Sequence, residues 1–152
     1  MAYKTADARQ QLLDSIAQAI EQMASAIALL SEAYEQLDET SADRIEEQLF
    51  RPVQSAYGRA KRTHAEFAAR HELPGREFEP AAALAPARGV KGFVDAAVRV
   101  ITEADLTLAT LQDSMLPVEV GDAQLRAGLE QVRSLLGDLR GRAHEFVRTL
   151  GR

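Results

Sequence analysis

From Leu13 to Leu37, apolar residues recur at steps of three and four: Leu13, Ile16, Ile20, Met23, Ile27, Leu30, Tyr34 and Leu37. On a helix these positions form one continuous stripe. No proline or glycine interrupts residues 6–38, so the pattern predicts a helix starting near Thr5 or Asp7 and ending about Asp38, roughly 50 Å long. Ala19, Ala26 and Ala33 on one side of the stripe, with Ala17 and Ala24 on the other, widen it and let neighbouring helices come close.

The segment DETSAD (38–43) breaks the pattern and reads as a tight turn, with Thr40 or Ser41 as N-cap of a second helix. Ile45, Leu49, Val53, Ala56, Ala60, Thr63 or His64, Phe67 and His71 make its inward face. Pro52 removes a hydrogen bond and crowds the preceding turn, which predicts a kink over Gln48 to Pro52. Residues 73–89 hold three prolines and two glycines and form the one long connection. Phe78 and Leu84 are candidates to plug the end of the molecule there, and Ala81–Leu84 to form a short helical turn.

A third helix is expected from about Arg88 to Met115, with Val90, Val94, Ala97, Ile101, Ala104, Leu108, Leu111 and Met115 inward. Pro117 and Gly121 then mark a short turn, and Asp122 is the expected N-cap of a fourth helix. Leu125, Leu129, Val132, Leu136, Leu139, Ala143, Phe146 and Leu150 give it a regular seam. Four helices joined by short, long and short connections predict an all-α, antiparallel, up-down-up-down four-helix bundle, a single domain over residues 1–152. The second arrangement is a bundle with a crossover in residues 73–89.

Composition sharpens this only slightly. The chain has 152 residues, no cysteine or tryptophan and 5% aromatic residues, as long helices favour. Disulfide and thiolate chemistry are ruled out. The polar start MAYKTADARQQ lacks a signal-peptide pattern, and no apolar run approaches the ~18 residues of a membrane span. A cytoplasmic protein is the expectation, with no membrane partner. A formal charge of −5 argues against general nucleic-acid binding.

No Glu-x-x-His pair is present, since Lys61, Ala68 and Gly141 stand three residues before His64, His71 and His144. A di-metal carboxylate centre therefore has no ligand set. P-loops, G-x-S-x-G elbows, H-E-x-x-H and EF-hand loops are absent too, so no catalytic residue, metal or cofactor is assigned. Arg59 and His64 repeat the Arg-x4-His spacing of HEPN-type ribonucleases, over six residues and without a family assignment.

If the helices alternate in direction, His64 and His144 lie at similar heights, with His71 about two turns lower. A polar ligand site can then be drawn from His64, His144, Tyr57, Arg59 and Glu145. Alternation also gathers Lys4, Arg9, Arg59, Lys61, Arg62, Arg70, Arg76, Arg88, Lys91, Arg140, Arg142, Arg148 and Arg152 towards one end. Glu32, Glu35, Asp38, Glu39, Asp43, Glu46, Glu47, Glu103, Asp105, Asp113, Glu119 and Asp122 gather towards the other. An anionic partner at the basic end is the corresponding expectation. Gly137 and Gly141 form a G-x-x-x-G step suited to close helix contact, inside the chain or in a homodimer. The leading functional reading is a non-enzymatic interaction or scaffold protein that pairs with itself or another protein. The competing reading is a small-ligand or metal-binding bundle.

Overall fold

The computed structural model describes residues 2–82 and 88–150. Ala83 and Leu84 of the expected Ala81–Leu84 turn and Arg152 lie outside the described residues, and Ala81 and Ala82 are not helical. The protein is all-helical, and among the described residues there is no strand. Helix α1 spans Ala2–Glu35, α2 Glu39–Ile45, α3 Arg51–Arg70, α4 Gly89–Asp113, α5 Leu116–Glu119 and α6 Ala123–Leu150. A π-helical turn, Glu46–Phe50, joins α2 to α3.

The sequence stripe of α1 is largely the buried one: Leu13, Ile16, Ile20, Met23 and Leu30 have no more than 1% of their surface exposed. Tyr34, at 40%, has left the core. The buried face is wider than the stripe because α1 packs on both α3 and α4. Ala19, Ala26 and Ala33 are fully buried. They share a side of α1 with Gln22, whose amide oxygen lies 2.9 Å from the Thr107 hydroxyl of α4. Their small side chains allow that close approach. Every predicted inward position of α6 from Leu125 to Phe146 is buried.

Several boundaries differ from expectation for identifiable reasons. Asp38, in an extended conformation, caps α2 by accepting the Ser41 N–H at 2.7 Å, so Thr40 and Ser41 fall inside the helix. At Pro52 the chain adopts a π turn in place of a simple kink, with the Arg51 N–H donating to the Glu46 carbonyl. The wider turn moves the preceding carbonyls away from the proline ring while the buried face continues through Ile45, Leu49 and Val53. Met115 ends α4 in the left-handed region (φ 68°) and is exposed, not inward.

Cross-helix contacts fix directions. Along α3 and α6 the pairs Arg59–Gln131 and Arg70–Asp122, preceded by Arg44–Thr149, run in opposite order. Along α4 and α6, Thr102–Arg140 and Asp105–Arg133 do the same. Helix α1 is antiparallel to α4, since Gln11, Ser15 and Gln18 share a groove with Thr107, Thr110 and Ser114. It is antiparallel to α3 as well: Phe78, which packs on His64 late in α3, shares a groove with Ile20 and Glu21, whereas Ser31, Tyr34 and Glu35 share one with Glu46 and Phe50 just before α3. Helix α4 therefore runs parallel to α3, and the expected up-down-up-down alternation fails there.

The reason is the long connection. Residues 73–82 turn back at Glu72 (φ 56°) and follow the groove between α1 and α3. Arg76 pairs with Glu21, and Phe78 packs edge-on against His64 at 5.3 Å between ring centres. Residues 73–88 can reach about 50 Å when extended, more than the ~30 Å of α3. They are long enough to return the chain to its starting end.

Candidate functional site

The five residues expected to share a polar site are not brought together. His64 is 3% exposed and faces the connection, whereas His144 is exposed beside Lys91, Asp95 and Arg148 where α6 ends. Because Thr63 abuts Gly128, the two histidines are separated by about sixteen residues of α6, some 24 Å. Glu145 accepts from Arg148 at 2.8 and 2.9 Å on the outer surface. Arg59 donates to Gln131 of α6 at 2.8 Å. Five residues on, His64 is rotated to the opposite side, so the Arg-x4-His pair does not converge. Tyr57 lines a cleft of about 690 Å³ and His144 a separate one of about 420 Å³. Among the described residues, no group of three or more His, Asp or Glu side chains could hold a metal ion.

Each histidine has a structural environment. His71 Nε2 lies 3.0 Å from Asp122 Oδ2, beside the bidentate pair that Arg70 makes with the same carboxylate at 2.8 and 2.9 Å. The Leu125 N–H completes this cluster by donating to Asp122 Oδ1 at 2.8 Å, the predicted cap. Burial alone would push the Asp122 carboxyl up, but the bonds from Arg70, Leu125 and His71 outweigh it and hold it well below the usual carboxylate range. His64 is held below the ordinary imidazole value, first by burial and then by the Arg76 guanidinium, with Asp14 opposing. Its Nδ1 is buried without a partner.

A cleft of about 690 Å³ lies between α1 and α3, bordered by residues 80–82. Ala24, Ile27 and Ala28 from α1 supply an apolar floor, and Gly58 leaves the α3 wall open. A β-carbon at Gly58 would meet only the flexible end of Arg62, at 3.7 Å. Glu32, Gln54, Tyr57 and Lys61 add polar groups. Lys61 Nζ lies 4.3 Å over the Tyr57 ring. Burial, and then Glu79, raise the Tyr57 phenol above its ordinary value, so it keeps its proton and remains a donor. Of these residues only Tyr57 stood among the sequence candidates. Gly58 beside it was the available signal, because glycine inside a helix leaves room for something else to approach.

Charge does not separate by ends as expected, since α4 and α6 both run opposite to the directions that alternation requires. Exposed Glu35, Glu39, Asp43 and Glu47 on α1, α2 and the π turn share an end with exposed Arg88, Lys91, Arg142 and Arg148 at the start of α4 and the end of α6. That end carries both signs on different helices. The opposite end mixes Lys4, Arg9 and Arg70 with Asp7, Glu66 and Glu119. Gly137 and Gly141 are exposed, and a β-carbon at either would meet nothing within 4 Å, so neither mediates packing within the chain. The close contact belongs to Gly128. No helix of the described residues is long and apolar enough to cross a membrane. No family model matches the chain, and neither a curated protein nor a solved structure matches it.

Proposed function

We propose that this chain is a non-enzymatic interaction or scaffold protein, a single four-helix bundle with a crossover connection, which associates with a second copy of itself. The observation that carries the reading is the pairing of opposite charges at one end. Glu35, Glu39, Asp43 and Glu47 on one flank and Arg88 and Arg142 on another have no ion pair among the described residues. In a two-fold pair the acidic flank of each copy meets the basic flank of the other. A core filled by Leu, Ile and Ala, and histidines held apart, favour binding over catalysis.

Sedimentation velocity at about 0.05 M and about 0.5 M salt tests the reading, because exposed charges are screened at the higher ionic strength. A dimer at low salt that dissociates at high salt is the expected result. A monomer under both conditions, or association indifferent to salt, overturns it.

One observation favours a second reading, a small-ligand carrier. The cleft between α1 and α3 falls in the size range of small-molecule sites, and its floor is apolar with polar groups around it. On this reading the ligand would be held by Tyr57 and its neighbours and not by His64, His144, Arg59 or Glu145.

A further inference from the structure

We propose that the cleft between α1 and α3 binds a small zwitterion with an apolar body, its cationic group at Glu32 and its anionic group at Lys61. The inference rests on the small-ligand reading and gives it a chemical class.

The fold leaves several polar groups in this cleft unused. Some charged side chains that line grooves elsewhere find partners, as Lys91 does with Asp95 and Arg148 with Glu145 beside His144. In the cleft, Glu32 and Lys61 have no ion pair among the described residues, and neither the Gln54 amide nor the Tyr57 hydroxyl has a hydrogen-bond partner among them. The ammonium of Lys61 rests on the Tyr57 ring without a counter-anion.

Their arrangement then sets the ligand. Because α1 and α3 are antiparallel, Glu32 and Gln54 stand at one end of the cleft and Lys61 with Ala24 at the other. Seven to eight helical residues separate the ends, about 11 Å. Between them lie Ile27, Ala28 and the open wall at Gly58, where an apolar body gains by leaving water. A molecule with only one charged end would meet one pole and leave the other unsatisfied. An ω-amino acid with a medium-length chain meets both. The phenol of Tyr57, about one turn from Lys61, donates to the anionic end.

Isothermal titration calorimetry of the full chain with ω-aminooctanoate, octylamine and octanoate tests this. The zwitterion is expected to bind at least tenfold more tightly than either single-pole probe. Lys61→Met should reduce its affinity to that of octylamine, and Glu32→Gln to that of octanoate. Gly58→Leu, and independently Ala28→Leu, should abolish binding of all three probes while the helical circular dichroism is retained. Equal binding of the three probes overturns the zwitterion assignment and leaves the small-ligand reading standing. No binding of any probe overturns both.

Discussion

Thr63 on α3 stands so close to Gly128 on α6 that a β-carbon on the glycine would lie 2.3 Å from the Thr63 hydroxyl oxygen and 2.9 Å from its methyl group. The threonine cannot swing away cheaply, because its hydroxyl donates to the Arg59 carbonyl at 2.9 Å and the residue is buried. The absent side chain of Gly128 thus sets how near α3 and α6 approach.

Three glycines on one helix therefore respond differently to the same substitution. Gly128→Ala is expected to destabilise by about 1–3 kcal/mol, since overpacking outweighs the gain in helix propensity. Gly137→Ala and Gly141→Ala meet nothing within 4 Å and should each stabilise by about 1 kcal/mol. Urea denaturation of the three variants checks the contrast, and Thr63→Ala combined with Gly128→Ala should recover part of the loss. Equal effects at all three positions would contradict the close contact.

Asp122 joins the end of α3 to the start of α6 as cap and ion-pair partner together. Asp122→Ala is expected to cost about 0.5–2 kcal/mol from the lost cap alone. Asp122→Asn keeps a capping oxygen but loses the charge that Arg70 grips. The folded carboxyl is held below its unfolded value, so its contribution is complete above the unfolded pKa of about 4 and fades as pH falls below that. Stability measured between about pH 5 and pH 2 should fall less steeply in Asp122→Asn than in the parent.

How much of this was legible follows from what periodicity can encode. Leu125 through Phe146 were placed correctly because a regular seam with a known cap leaves one face to bury. The direction of α4 was not, because Val94, Ala97 and Ile101 make the same stripe whichever way the helix points. Only the connection decides direction, and its anchors, Arg76 to Glu21 and Phe78 on His64, are contacts between residues far apart in sequence. The error carried into the site: reversing α4, and α6 with it, dissolved the basic end. The G-x-x-x-G step misled for a related reason, since spacing shows which glycines share a ridge but not which ridge is covered.

The last consequence concerns His64, buried with Nδ1 unpartnered beneath Phe78 and flanked by Arg76. Protonation there would place a second positive charge beside the guanidinium, in a site already poor in water, with Asp14 only partly compensating. The folded pKa is therefore lower than the unfolded one, and between the two values the unfolded chain binds more protons. Stability is complete above the unfolded pKa of about 6.5 and declines as pH falls through the interval below it. His64→Phe removes the titrating group and the orphaned nitrogen while keeping an aromatic ring against Phe78. The variant's unfolding free energy should be nearly flat between about pH 7.5 and pH 5.5, where the parent's decreases on acidification. Parallel slopes for the two proteins would show that His64 does not govern this window.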